Sequence, residues 1–298
     1  MSLDISMPRI GLRLAGAALL PASELEALLL ELEEIGYRSL WFSEGATSKD
    51  ALVYASLILD RSSRIVVAPG IANIYVRDAV AMQTGALALA EAHPGRFVLG
   101  LGVSHRPLLE QRGHDSLPPL RAMSNYLDTM AAAEYAGARP AQDPPIVLGA
   151  LRPKMLELAR ERTAGAHTYF VSVEHTRRAR AILGSDRFLA PDQAVVLSSD
   201  KSAARVLARQ FAHGMLRLPN YRQSLIDLGY PEFEVGGKLA TSILDDLVAY
   251  GDIDVIVNRV RAHLDAGADH VCVQVLTPHR ASVPIEELRE LAPALLAL

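Results

Sequence analysis

His93-Pro94-Gly95-Arg96-Phe97-Val98-Leu99-Gly100-Leu101-Gly102-Val103-Ser104-His105 is the stretch whose reading decides the fold. Pro94-Gly95 punctuates a turn. Phe97 to Leu101 is an apolar run of strand length with almost no polar residue, the pattern of a parallel strand covered on both faces. Side chains alternate along a strand, so Phe97, Leu99 and Leu101 share one face and Val98, Gly100 and Gly102 the other. That second face thins to nothing where the strand ends, and polar Ser104 and His105 follow at once. Glycine inside a strand marks close approach by a ligand or another backbone, or simply relieves crowding in a closed interior. From this stretch alone the readings stand level.

Working outward, strands and helices alternate. Residues 9–14 form a first strand candidate. Ser23 and Glu26 have capping-box spacing at the start of a helix in which Leu25, Leu28, Leu29, Leu32 and Ile35 recur at helical intervals, and Gly36 closes it. Strand two (38–43) ends at Glu44-Gly45 and is followed by a helix over 49–60. Strand three (64–68) runs into Pro69-Gly70-Ile71-Ala72-Asn73, and a helix over 78–91 leads to the quoted stretch. After His105 the chain reads as loop to Pro118. Then come a helix (120–135), strand five (146–149), a helix over 154–162 with Pro153 in its first turn, strand six (166–171) and a helix (174–183). Strand seven (194–197) and its helix from about residue 200 precede an irregular region, 218–251, carrying Pro219, Gly229, Pro231 and Gly236-Gly237. Asp252 caps the next helix, Gly267 closes it, and strand eight covers 271–276. Eight strands alternating with eight helices, without repeat or low-complexity linker, predict an α/β fold: one (β/α)8 TIM barrel domain over 1–298, with a helical insertion after strand seven (218–251) covering the C-terminal face.

The chain has 298 residues, half of them apolar, and a net charge of -4 without a basic stripe, which argues against nucleic acid as a partner. Cys272 is the only cysteine, so no internal disulfide forms and a reducing cytoplasm suits the chain. Met1-Ser2-Leu3-Asp4 lacks the features of a signal peptide. The apolar stretch 14–20 is too short to span a bilayer and stops at Pro21. A soluble, cytoplasmic protein is expected, with no membrane partner and no metal. Val53, Tyr54, Leu57, Val80, Met82 and Leu87 offer more apolar surface than one barrel needs, which predicts a symmetric homodimer; the alternative is that they pack onto the barrel.

Barrel chemistry sits on loops at the carboxyl ends of the strands. That rule selects Glu44, Gly70 to Asn73, Gly102 to His105, Ala150 to Lys154, Ser172 and Gln274. Alternation on strand eight sends Val271, Val273 and Val275 outward and Cys272 and Gln274 into the barrel.

Four passages carry a resemblance: residues 33–41 (EEIGYRSLW), Gly70-Ile71 with Arg77 beyond, residues 95–102 (GRFVLGLG) and residues 152–159 (RPKMLELA). Together with residues 266–271 (AGADHV) they resemble the luciferase-like monooxygenase superfamily, specifically its coenzyme F420 (deazaflavin) dependent oxidoreductases of actinobacterial type. The resemblance implies a homodimeric barrel binding a deazaflavin or flavin at the carboxyl face. Gly70, Ile71, Ala72 and Asn73 would back the central ring through a bulge with a cis peptide between Gly70 and Ile71. Gly102, Val103 and Ser104 would line the ring's edge. Ala150, Leu151, Arg152, Pro153 and Lys154 would hold the phosphate-bearing tail. A helix amino terminus suits an anion. However, Pro153 donates no amide, the family often carries glycine where Leu151 and Arg152 stand, and an ordinary loop-to-helix turn is the alternative.

In the branch that oxidises glucose-6-phosphate an Asp-His pair follows strand two and a Glu follows strand four. Here the matching positions are Glu44-Gly45 and His105, so that sugar phosphate is not the expected substrate. Glu44 is either a site carboxylate or a helix-proximal charge. His105 is the expected proton carrier, because imidazole titrates near neutrality; a loop histidine bonded to a carbonyl is the bland alternative. Gln274 and Tyr221 are expected at a small-molecule substrate, though Asn220, Tyr221 and Arg222 could equally be plain surface. Three functions follow. The first is hydride transfer between the deazaflavin and a small organic substrate; the second is an FMN-dependent monooxygenase. The third, from another class, is a catalytically silent ligand-binding barrel, since fold alone does not fix activity.

Overall fold

Short apolar strands, buried on both faces, close this chain into a barrel. The computed structural model describes residue 5 and residues 7–45, 47–114, 117–231, 241–279 and 282–298. The first half of the chain runs β1 (Ile10–Arg13), α1 (Ala22–Ile35), β2 (Ser39–Phe42), α2 (Ala51–Arg61), β3 (Val66–Pro69), β4 (Ala72–Asn73), α3 (Ala79–Ala92), β5 (Leu99–Gly102), α4 (Arg106–Gln111) and α5 (Pro119–Ala131). The second runs β6 (Ile146–Gly149), α6 (Pro153–Arg162), β7 (Gly165–Thr168), α7 (Val173–Leu183), β8 (Phe188–Leu197), α8 (Lys201–Leu216), α9 (Pro219–Asp227), α10 (Thr241–Leu247), β9 (Val248–Gly251), α11 (Ile253–Asp265), β10 (Val271–Val275) and α12 (Ile285–Leu295). The sheet order is β3-β2-β1-β10-β8-β7-β6-β5-β4, with every pairing parallel. A bridge between Val67 and Phe97 joins its two ends.

The two faces of each strand separate into two layers. Leu12, Leu40, Leu99, Leu101, Leu148 and Val273 face outward into the shell of helices. Trp41, Val66, Ala68, Val98, Val147, Ala190 and Cys272 fill the barrel. The interior is also polar, and each polar ring in it has partners, as burial requires. Trp41 Nε1–H donates to His270 Nε2 (3.0 Å), while His270 Nδ1–H donates to the Pro8 carbonyl. His167 stacks on Trp41 with ring centroids 4.4 Å apart, and its Nδ1–H donates to the Ala190 carbonyl (2.9 Å). A third apolar cluster, including Phe170, Phe211, Tyr221, Leu225 and Leu244, packs α8, α9 and α10 together over one side of the barrel mouth.

Several elements depart from the sequence reading. The capping box at Ser23 and Glu26 does not form: α1 starts at Ala22 behind Pro21, with no side-chain cap, so Ser23 already lies inside the helix. Helices α4 and α12 occupy stretches read as loop or left unassigned. The seventh barrel strand is ten residues long, not four, and the chain 218–251 is not wholly an insertion, because β9 pairs with Ala194–Leu197 of β8. Met1 to Asp4 and Gly236-Gly237 lie outside the described residues. Of the residues expected at a dimer face, Tyr54, Met82 and Leu87 are buried on the barrel, whereas Val53 and Val80 are 58% and 44% exposed. Among the described residues no helix is long and apolar enough to cross a membrane.

Candidate active site

The bulge between β3 and β4 is the first component. The Gly70–Ile71 peptide is cis, as expected. Gly70 N–H donates to the Phe42 carbonyl (2.6 Å), and the Gly70 carbonyl accepts from Arg13 Nη2 (2.6 Å). The strand glycines of the opening stretch make room for this bulge. A Cβ at Gly100 would overlap the Pro69 carbonyl oxygen, and a Cβ at Gly102 would lie 2.7 Å from Ile71 Cδ1 and closer still to Cγ1. From the next strand, a Cβ at Gly149 would lie 2.8 Å from Ile71 Cγ2. Close approach by another piece of the same chain, rather than by a ligand, is what empties that face.

Glu44 locks the far side of the bulge. Its side chain is 2% exposed and accepts from Ala51 N–H (2.9 Å), Asn73 N–H (2.8 Å) and Arg77 Nη2 (2.8 Å). Arg77 Nη1 approaches the second oxygen at 3.5 Å, and Arg77 also pairs with Asp50. A carboxylate offers about four lone-pair sites, and these contacts fill them. Read from sequence as a possible site carboxylate, Glu44 has no oxygen left to exchange a proton with a substrate. It ties the start of α2 to the bulge instead.

The second component is aromatic. Ser104 (φ 60°) and Phe170 (φ 58°) are the non-glycine residues with positive φ among those described, and each follows the carboxyl end of a barrel strand. Such a conformation costs on the order of 1–3 kcal/mol and survives only where the surroundings over-determine it. The turn at Ser104 delivers His105, whose ring lies 5.1 Å from that of Tyr221 on α9. Tyr221 also approaches Phe170 (5.5 Å) and Tyr169 (6.0 Å). Burial pushes the His105 imidazolium below its ordinary pKa, so the ring is neutral at pH 7. Tyr169 O–H donates to Gln274 Oε1 (2.9 Å), and the Arg13 guanidinium sits 4.4 Å from the centre of the Tyr169 ring. Three residues predicted separately, His105, Tyr221 and Gln274, thus meet through Tyr169.

Beneath them Arg13 is the hub. It donates to Ser43 Oγ (2.5 Å) and Gly70, approaches His167 Nε2 (3.4 Å) and pairs with Asp192 (3.6 Å), with both side chains almost fully buried. Burial pushes the Asp192 carboxyl up to about 7, against the pull of the guanidinium. A cavity of ≈ 260 Å³ opens above Arg13, Tyr169 and Gln274. Gln274 lines this cavity; Tyr221 and His105 are not among its lining residues.

The third component is the turn Ala150 to Lys154. Arg152 is the N-cap of α6 and Pro153 its first residue. The Leu151 carbonyl accepts from His175 Nε2–H (2.7 Å), and Ser172 Oγ accepts from the His175 amide, capping α7 alongside. Arg152 Nε donates to Asp227 at the end of α9 (3.0 Å), which ties the turn to the helical cover. Lys154 is exposed. Among the described residues no cluster of His, Cys, Asp or Glu is arranged to hold a metal ion.

Arg13, Tyr169 and Asp192 escaped the sequence reading. Arg13 had a signal, a lone charge at the carboxyl end of an apolar strand. Asp192 was missed because the strand was expected only over 194–197, whereas it begins at Phe188. In the structure Pro191 sits in register with Thr168, and Asp192 and Gln193 find buried partners in Arg13 and His263.

Comparison with known proteins agrees with this architecture. A 5,10-methylenetetrahydromethanopterin reductase of Methanolobus tindarius is 26% identical over 149 residues, 45% of this chain and 46% of the relative. The match thus spans a little under half the length of that relative. An F420-dependent secondary alcohol dehydrogenase, solved with an F420-acetone adduct, superposes with a TM-score of 0.76 at 14% identity, covering 97% of this chain and 99% of that one. The oxygenating component of 3,6-diketocamphane monooxygenase from Pseudomonas putida, solved with FMN, superposes with a TM-score of 0.69 at 15% identity, covering 97% and 98%. At these identities the superpositions establish the shared fold. The sequence match is more specific, since it runs over residues 6–270, almost the whole barrel, and on that ground the chain belongs to the luciferase-like monooxygenase family.

Proposed function

We propose that this chain is a two-electron oxidoreductase that binds a deazaflavin, coenzyme F420, across the carboxyl face of its barrel and acts on a small organic molecule. The observation that carries the reading is the bulge Gly70 to Asn73. It is clamped by Arg13 on one side and Glu44 on the other, and Ile71 is seated over Gly102 and Gly149. A rigid main-chain platform of this kind backs a flat ring without competing for its edge groups. Gly102, Val103 and Ser104 follow beside it. The residues present also suit an anionic tail: the amide of Lys154 opens α6, those of Val173 and Glu174 open α7, and exposed Lys154 supplies positive charge, while Arg152 and Arg178 are paired with Asp227 and Glu174. Ala150 and Leu151 shape the turn that carries them, held by His175. When bound, a deazaflavin exchanges a hydride, because carbon replaces the reactive flavin nitrogen; the protein supplies orientation and the proton.

In this reading His105 is the proton carrier. Its neutral ring is ready to accept a proton, and Tyr221 and the Ser104 turn fix its position. Glu44 and Arg77 hold the bulge rather than move protons. The F420-dependent secondary alcohol dehydrogenase of the same fold supports the cofactor choice. The FMN-bound monooxygenase of the same fold supports a second reading, an FMN-dependent monooxygenase. Titrating the purified protein with coenzyme F420 and, separately, with FMN while following fluorescence tests both. Binding of the deazaflavin in preference to FMN is expected. Preference for FMN would replace the first reading with the second, and binding of neither would leave a catalytically silent barrel.

A further inference from the structure

The amino ends of α6 and α7 open side by side, and the carboxyl end of α9 is seated against them. His175 joins the first two: its Nε2–H donates to the Leu151 carbonyl (2.7 Å) in the turn before α6, while its amide donates to Ser172 Oγ at the head of α7. The ring is buried, and Nδ1 has no hydrogen-bond partner among the described residues, which leaves an acceptor suited to a ligand's hydroxyl. Helix amino ends present free amides and the positive end of a dipole, so this seam attracts negative charge.

Some negative charge is already in place. A helix ends in unpaired carbonyls and a partial negative charge, and those of α9 meet the seam. Arg178 of α7 donates from Nη1 to the Asp227 carbonyl (3.5 Å) and from Nη2 to that of Leu228 (3.4 Å). The Asp227 side chain completes the contact. One carboxylate oxygen accepts from Nε of Arg152, the N-cap of α6 (3.0 Å), and the other from Gln223 Nε2, one turn back on α9 (2.9 Å). Glu174 differs, because it pairs with Arg177 and Arg178 of its own helix and stays with α7 whatever approaches.

The Arg152–Asp227 pair is easy to exchange. Its side chains are 51% and 36% exposed, and exposed pairs contribute little to stability. Nor does α9 depend on it, since Tyr221 and Leu225 anchor the helix in the apolar cover. An incoming anion can take Arg152 while the helix stays where it is and only the carboxylate turns away.

We propose that Asp227 is a specificity-determining residue of the cofactor site: a resident carboxylate that holds Arg152 until an anionic tail displaces it, and that thereby sets how much the tail contributes to binding. That the displacing anion belongs to a cofactor rests on the function proposed above; the competition for Arg152 rests on the turn and α9 alone.

The test uses the full chain and matched probes: coenzyme F420 against the deazaflavin truncated before its phosphate, and FMN against riboflavin. Dissociation constants are read by fluorescence for the wild type, Asp227→Asn, Arg152→Gln, the double variant and Asp186→Asn, which makes the same change of net charge beyond the other end of α7. Circular dichroism checks each fold. Asp227→Asn is expected to tighten the tail-bearing probe of whichever pair binds by about three- to tenfold, the scale of an exposed ion pair plus a like charge removed. The truncated probe should not change. In the Arg152→Gln background the gain should fall to about twofold or less, because the contested cation is gone. An unchanged affinity for the tail-bearing probe, an equal gain for its truncated partner or in Asp186→Asn, or a gain undiminished without Arg152 overturns the proposal. Binding of neither pair sinks the cofactor reading alone. Inorganic phosphate, followed by 31P NMR, then decides this one: tighter binding by Asp227→Asn upholds it, and equal or no binding overturns it.

Discussion

Replacing Gly102 by alanine tests whether the bulge and its neighbouring strand are built as one unit. The added Cβ would lie 2.7 Å from Ile71 Cδ1, nearer to Cγ1, and 3.0 Å from Cβ. Ordinary carbon contacts begin near 3.5 Å, so Ile71 must move or change rotamer. Overpacking of this sort costs about 1–3 kcal/mol. The nearest obstacles belong to a side chain, which makes the strain removable. In an Ile71→Ala background only the 3.0 Å contact remains, and the cost of Gly102→Ala should fall below about 1 kcal/mol. The coupling between the two positions should then be about 1–2 kcal/mol, within the range of residues in direct contact. Urea unfolding of the wild type, both single variants and the double variant closes the cycle. Gly100→Ala is the control: its Cβ would meet the Pro69 carbonyl oxygen, which is backbone, so Ile71→Ala should give no relief. An equal cost for Gly102→Ala in both backgrounds would refute the idea that Ile71 sits on Gly102.

Three further outcomes are expected. His105→Asn should bind deazaflavin as the wild type does and lose turnover by about 100-fold or more; because burial holds the folded His105 pKa below 6.5, the acid limb of the wild-type profile should lie below that value and vanish in the variant, while an unchanged profile would remove His105 from the mechanism. Asp192 should show a protonated-carboxyl band by difference infrared spectroscopy that is lost as pH rises through about 7 and is absent in Asp192→Asn. The folded value is raised, so this group's stabilising contribution is complete below the ordinary carboxylate pKa and is lost between about 4 and 7; no titration between pH 5 and 9 would contradict the burial argument. Val53 and Val80 remain largely exposed on α2 and α3, so sedimentation should report a homodimer at micromolar concentration that Val53→Glu weakens, and a wild-type monomer would show that these valines are isolated surface residues.

The parallel barrel was legible because its causes are local. Period-two alternation separates Val98, Gly100 and Gly102 from Phe97, Leu99 and Leu101, and the structure keeps those faces apart as interior and shell. Glycine at 36 and 267, and Asp252 at the head of α11, mark helix ends by backbone conformation and capping that need only their own neighbours. Where local rules misled, a tertiary partner had changed the balance. Strand seven was expected only from residue 194, but Arg13 and His263, remote in sequence, satisfy buried Asp192 and Gln193 and let the strand include them. Ser23 and Glu26 have the spacing of a cap, but the helix is capped at Pro21, two residues earlier.

The candidate site divides along the same line. Sequence alone placed His105, Gln274 and the Gly70 bulge at the carboxyl ends of strands, because chain order and strand polarity determine which loops share that face. Which of them touch, and through what, depended on packing between distant segments. Tyr169 joins Gln274 to Tyr221, Arg13 spans from the bulge to Asp192, and Glu44 spends its lone pairs on amides of two other segments. Periodicity reports the side of an element a residue occupies; hydrogen bonds and ion pairs across a barrel depend on distances set only when all the strands have closed.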